Sequence, residues 1–218
     1  MIVDERIAAY INSLECDLPL ELKNLEKNAL EHHVPIIKKE TQGVLRFLLQ
    51  LKQPKRILEV GTAIGFSALF MSEHTTKDCR ITTIEKVAMR LVEAEKNLAD
   101  PSFPHRDKIK LLRGEALEVL KTLVSEQECF DFIFLDAAKA QYMSFLPEIV
   151  KLLGEKGLLV TDNVLQDGTV INSRYSITRR DRTIHSRMRE YLYTITHTEE
   201  LSTVILPVGD GIAISNKY

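Results

Sequence analysis

Several features are missing from this 218-residue chain, and each absence excludes something. Its three cysteines, Cys16, Cys79 and Cys129, are odd in number, far apart and without the C-x-x-C spacing of a zinc or redox site. The amino terminus lacks the basic, apolar, then small-residue succession of a secretory signal. No apolar run approaches the ~18 residues of a membrane span. A reduced cytoplasmic protein with no membrane partner is therefore expected, its thiols serving as fillers of core or surface. Net charge is only -2, so a polyanion would have to be met by a local basic patch rather than by the field of the whole protein. The G-x-G-x-x-G fingerprint that lets a backbone approach a pyrophosphate is also absent.

With 44% hydrophobic and 28% charged residues, the chain can bury a full core, and a single domain over 1–218 is expected. Residues 3–51 carry helix-spaced apolar stripes: Ile7, Tyr10, Ile11 and Leu14, then Leu22, Leu25, Ala29 and Leu30, then Val44, Leu45, Leu48 and Leu49. Pro19 and Pro35 punctuate them. Residues 1–52 should form extra helices that flank the domain or cap its pocket.

The organising stretch is 56–67. There a short apolar run carries Glu59 near its end, breaks into a loop with Gly61 and Gly65, and reopens as a helix. Short β-rich runs then alternate with amphipathic ones: strands at 80–84, 108–112, 130–135 and 157–160, and helices near 87–98, up to 124, 141–153 and beyond. Such alternation predicts an α/β fold with a parallel sheet and right-handed crossovers. The ending differs. Strands at 201–206 and 211–215 are joined only by Pro207-Val208-Gly209-Asp210, a link so short that it must be a hairpin. A seven-stranded mixed sheet with one antiparallel strand follows.

Polar groups close successive strands: Glu59, Glu85, Glu115, Asp136, then Asp162-Asn163. Those ends form the ligand crevice of an open α/β sheet. A carboxylate at the second strand suits the hydroxyls of a ribose, which makes Glu85 the natural candidate. Asp136, Asp162 and Asn163 offer hard oxygen ligands suited to Mg²⁺ or a similar ion. Lys139, three residues on, could hold a lowered pKa there or orient an oxyanion. His32 and His33, adjacent on a helix, point in different directions, so a structural or pocket-lining role is expected for them rather than metal ligation. Phe66 and Tyr142 are open to two readings, stacking on a base or packing in the core.

Four stretches carry a family resemblance: 57–67 (ILEVGTAIGFS), 130–139 (FDFIFLDAAK), 161–165 (TDNVL) and 206–211 (LPVGDG). In order and over nearly the whole chain, they resemble the metal-dependent, S-adenosylmethionine-using O-methyltransferases of the catechol and caffeoyl-CoA type. On Glu31-His32-His33-Val34-Pro35-Ile36, Lys52-Gln53-Pro54-Lys55, 136–142 (DAAKAQY) and an arginine-rich run, the chain is most similar to the bacterial branch that methylates 5-hydroxyuridine at the tRNA wobble position. The resemblance implies a Rossmann-like methyltransferase fold. It also implies cofactor contacts at Ile37, Glu59, Gly61, Thr62, Ser67, Glu85, Glu115, Ala116 and Asp136, with Glu85 on the ribose. Asp136, Asp162 and Asn163 match the Mg²⁺ ligands, and Lys139 matches a lysine beside the reacting hydroxyl, giving Lys139 and Asp136 catalytic roles. A homodimer is common in the family, and the amino-terminal helices would supply its contact. Two departures stand out: Gly114-Glu115-Ala116 replaces the usual Gly-Asp-Ala, and Gln166 stands where plant enzymes carry a Trp.

Arg174, Arg179, Arg180, Arg182, Arg187 and Arg189 lie within sixteen residues, opposed by Asp181 and Glu190. A charge run is usually a solvated helix face. Beginning after the metal-ligand strand, this one would rim the crevice, where Arg174, Arg179, Arg180 and Arg182 could hold the phosphates of a tRNA anticodon stem-loop. The phosphates of a CoA thioester would satisfy them too. The leading reading is thus Mg²⁺-assisted methylation of tRNA 5-hydroxyuridine to 5-methoxyuridine. The alternatives are the same chemistry on a catechol or CoA-linked phenol, and a cofactor- or RNA-binding module without catalysis.

Overall fold

The computed structural model describes residues 3–173 and 175–218; Arg174 lies outside them. Five β-rich runs form parallel strands: β1 (Arg56–Val60), β2 (Arg80–Glu85), β3 (Ile109–Arg113), β4 (Phe130–Leu135) and β5 (Leu153–Thr161). β6 (Leu201–Leu206) and β7 (Ile212–Lys217) complete one seven-stranded sheet in the order β3-β2-β1-β4-β5-β7-β6. β7 pairs antiparallel with both β5 and β6, so it alone runs against the rest. The expected mixed sheet and closing hairpin are both present.

β4 shows why a continuous apolar run becomes a central strand. Ile133 and Leu135 enter the core beneath one face of the sheet, and Phe132 and Phe134 enter the core on the other, all four with no exposure. Alternate side chains point to opposite faces, so a strand buried on both sides must be apolar throughout. The first core is closed by α6 (Ala116–Ser125), α7 (Tyr142–Leu152) and α8 (Arg182–His197). The second is closed by α2 (Leu20–Glu31), α3 (Lys39–Lys52) and α4 (Phe66–Glu73). Between β2 and β3 runs α5 (Ala88–Ala99).

One expectation needs correction. β5 begins at Leu153 rather than 157, directly after α7, because Leu153 pairs with Phe130 ahead of a register shift that loops out Lys156 at φ 56°. On α1 (Glu5–Ser13) the stripe does not enter the core: Ile7, Tyr10 and Ile11 remain exposed, as does Leu14 just beyond, and Ala8 is the buried position. No described helix is long and apolar enough to cross a membrane.

Candidate active site

Strand ends are stitched to one another along the carboxyl edge of the sheet. Gly61 N and Thr62 N donate to Ile84 O at 3.2 and 3.1 Å, Asp136 N to Val60 O at 3.0 Å, and Asp162 N to Leu135 O at 3.0 Å. Gly61 is required here by two observations. Its φ is +112°, and a Cβ on it would lie 1.9 Å from the Asp136 carbonyl oxygen. The loop after β1 therefore touches the backbone of the residue expected to hold the metal.

Over this edge opens a cleft of about 480 Å³, lined by Ile37, Gly61, Thr62, Ser67, Glu85, Glu115, Ala116, Asp136, Lys139 and Asn163. The structure thus brings together most of the residues expected to hold cofactor. Glu85 is fixed by backbone: its Oε2 accepts from Ala63 N at 3.0 Å and its Oε1 from Lys86 N and Val87 N, both at 2.8 Å. A carboxylate has about four acceptor positions, so Glu85, which lines the cleft, keeps capacity for a hydroxyl donor. Glu115 pairs with Lys86 at 2.8 Å on the rim.

Glu59 lies behind the wall rather than in it, with no exposure. Its Oε2 accepts from the Thr83 hydroxyl, which in turn meets the Thr62 hydroxyl at 2.5 Å. Its Oε1 is buried without a hydrogen bond of good geometry, although the Ser67 hydroxyl is near enough to favour the anion. Burial outweighs these hydroxyls and raises the Glu59 pKa to about 7.

Where Asp136 and Asn163 line the cleft the site is acidic and resists ionisation, and Asp162 is buried outside the lining. Burial raises Asp136 to about 6, against the pull of Lys139 and Arg90. Burial, and then the charge of Asp136, raises Asp162 to about 7. Lys139 Nζ donates to Asn163 Oδ1 at 2.8 Å, and Asn163 N to Asp162 Oδ1 at 2.8 Å. Among the described residues no three His, Cys, Asp or Glu side chains cluster as metal ligands. Asp136, Asp162 and Asn163 are instead two acids and an amide. Their chemistry nonetheless fits a hard divalent cation, because two carboxylates that repel each other in a dry site are relieved by positive charge.

Other expectations are redistributed. Phe66 and Tyr142 are 1% and 0% exposed, so neither can stack on a base; Tyr142 donates to Asp162 O at 3.2 Å. His32 and His33 are exposed and lie outside the cleft lining, and the His32 ring meets Asn28 O at 2.9 Å. Arg187 and Arg189 staple the fold, donating to Ala140 O at 2.7 Å and Val170 O at 3.0 Å. Arg182 donates to Ile177 O at 3.2 Å and so holds its own loop. Arg179 and Arg180 remain exposed ahead of α8. Sequence reasoning missed Arg90, which lines the cleft and lowers the Asp136 pKa. One turn into α5 after Glu85, it was visible only as another surface arginine.

The family model for O-methyltransferases matches residues 12–218. A catechol O-methyltransferase of Niastella koreensis is 34% identical over 129 residues, 59% of this chain and 58% of that relative. Caffeoyl-CoA O-methyltransferase 1 of Eucalyptus globulus is 27% identical over 96% of this chain and 88% of its own length. A Staphylococcus aureus structure provisionally described as a caffeoyl-CoA O-methyltransferase superposes with a TM-score of 0.85 at 29% identity, covering 98% of both chains. A Bacillus cereus O-methyltransferase solved with SAH superposes at 0.84 and 21% identity over 98% of this chain and 97% of that one, a likeness of fold. The cleft lies at the strand ends where such a fold takes its ligand, and this chain belongs to the O-methyltransferase family, the S-adenosylmethionine-dependent enzymes of the catechol and caffeoyl-CoA type.

Proposed function

We propose that this enzyme methylates the 5-hydroxyl of 5-hydroxyuridine at the tRNA wobble position, giving 5-methoxyuridine. The observation that carries the chemistry is the shared wall at Gly61 and Asp136, which sets a nucleoside-sized cleft against a buried acid pair of which Asp136 lines the cleft. In this reading Glu85 takes the ribose hydroxyls of S-adenosylmethionine, the 114–116 turn borders the adenine, and Ile37 covers the cofactor from the amino-terminal side. Asp136, Asp162 and Asn163 would hold Mg²⁺, which when bound supplies the positive charge that favours an ionised acceptor hydroxyl. The O5 and O4 oxygens of the base are the adjacent pair presented to this end of the cleft.

Lys139, pinned through Asn163, orients the acceptor oxygen and stabilises its negative charge. The acceptor hydroxyl releases its proton to solvent, and the oxyanion attacks the sulfonium methyl in line; the O–C bond forms as the S–C bond breaks, leaving S-adenosylhomocysteine. Positioning and electrostatics carry the acceleration. Support for a polymeric acceptor comes from the segment after Asn163, where Arg179, Arg180 and Tyr175 are exposed, Tyr175 at 91%. The exposed stripe of α1 supports a homodimer.

The names of the relatives favour a second reading, in which the acceptor is a catechol or a CoA-linked phenol. Purified enzyme with labelled S-adenosylmethionine, offered tRNA lacking the modification and a phenol panel in parallel, separates the two. Label in 5-methoxyuridine by mass spectrometry is the expected result, and label confined to phenols overturns the tRNA assignment. Chelation should abolish transfer. Full turnover by Asp136→Ala or Lys139→Ala would overturn the catalytic roles.

A further inference from the structure

The amino-terminal strap, residues 34–38, reaches both halves of the site. Pro35, Ile36 and Ile37 line the cofactor cleft. The next residue, Lys38, pairs with Asp210 in the β6–β7 turn and, at 3.6 Å, with Asp167 in the segment that follows Asn163. Three residues further on, the Thr41 hydroxyl reaches Asp162 Oδ1 at 3.5 Å.

Lysine is a poor choice where it stands. It is the N-cap residue of α3 and makes no capping hydrogen bond, since it has no side-chain oxygen to accept from the first-turn amides. Its charge also opposes the positive end of the helix dipole. What it holds is itself strained: Asn163, Gln166 and Asp167 all have positive φ, at 67°, 49° and 53°. Single residues of this kind persist only when their surroundings over-determine them. The surroundings here are tight. A Cβ on Gly209 would meet Thr41 Oγ1 at 2.8 Å, and one on Gly211 would meet Leu165 Cγ at 2.4 Å. The hairpin turn is therefore wedged between strap and segment, and Lys38 ties all three.

We propose that Lys38 is a positioning residue that couples seating of S-adenosylmethionine beneath the strap to the shape of the acceptor rim, residues 163–168. Cofactor packed against Pro35–Ile37 steadies the strap, and the Lys38 ammonium carries that restraint to Asp210 and Asp167. The inference rests on the cofactor position proposed above, and is independent of whether the acceptor is a tRNA or a phenol.

Hydrogen exchange by mass spectrometry on the full chain, with and without S-adenosylhomocysteine, tests it. In the wild type the ligand should slow exchange in both 34–38 and 163–171. In Lys38→Met it should slow 34–38 alone, with exchange at 163–171 of the liganded protein roughly fivefold faster than in the wild type, the scale of a part-exposed ion pair. Lys38→Arg should restore coupling. Asp210→Asn should weaken it likewise and serves if Lys38→Met does not fold. Protection at 163–171 that survives Lys38→Met, or a failure of Lys38→Arg to rescue, overturns the proposal. Wild-type slowing confined to 34–38 overturns it while leaving the cofactor position intact; slowing of neither segment overturns both.

Discussion

Asp162→Asn is expected to stabilise the ligand-free protein at pH 8 while abolishing methyl transfer. Asp162 is 4% exposed, and burial together with Asp136 raises its pKa from 3.8 to about 7. An acid whose folded pKa lies above its unfolded value weakens the fold as pH rises between the two, because the unfolded chain releases its proton first. At about 1.36 kcal/mol per pH unit, ionising this group in the folded state costs at most about 4 kcal/mol. Asp136 and Asp162 titrate as an interacting pair, and about half of that, ~2 kcal/mol, is assigned to the substitution. Asparagine keeps an oxygen for the Asn163 N–H, now donating at 2.8 Å, while its new amide N–H donors in a buried site offset part of the gain. For a chain of this length ~2 kcal/mol corresponds to a rise in Tm of about 4–8 °C. The gain should develop between pH 4 and pH 7 and fall below ~2 °C at pH 4, where the folded state keeps its proton and the unfolded chain, with its pKa of 3.8, has lost roughly half of its own. Scanning calorimetry in chelator at pH 4, 6 and 8 reads this directly. An Asp162→Asn Tm at pH 8 equal to or below that of the wild type would refute the reasoning.

Gly61→Ala should lose roughly 3 kcal/mol or more, about 6–12 °C in Tm, because its Cβ would meet the Asp136 carbonyl and its φ is left-handed; an unchanged melt would contradict the close approach. Lys139→Met should leave S-adenosylhomocysteine affinity by calorimetry within about twofold while lowering turnover by roughly a hundredfold or more. Equal losses in both would make Lys139 structural. The double change Arg179→Glu, Arg180→Glu should weaken tRNA binding and reduce its log–log salt slope by about 2, roughly 1 for each phosphate no longer neutralised, with turnover on any small phenol untouched. An unaltered salt slope would remove these arginines from the interface.

Much of the donor side was legible because its signals are local. A largely apolar run such as Phe130–Leu135 reads as a central strand, and Asp136 at its end does line the crevice. The 207–210 link was too short to be anything but a hairpin. What escaped is long-range. Nothing in the spacing of residues 3–14 tells whether a helical stripe meets a core, and that of α1 does not. Phe66 and Tyr142 sit beside crevice residues in sequence, yet their side chains turn into the two cores. In the arginine run, composition could not separate Arg187 and Arg189, spent on carbonyls 47 and 19 residues away, from Arg179 and Arg180. Lys38 finds its partner 172 positions later.

The contact of Gly61 with the Asp136 carbonyl divides the molecule into parts with different freedom to diversify. Because the β1 and β4 ends are locked by main-chain atoms, the spacing between donor loop and acid pair is a property of the sheet and is inherited whole. Residues 164–173 and 175–181, by contrast, lie outside every strand and α-helix. Exchange of that segment would reshape the acceptor side while leaving the spacing between donor loop and acid pair, and with it the methyl-transfer geometry, unchanged.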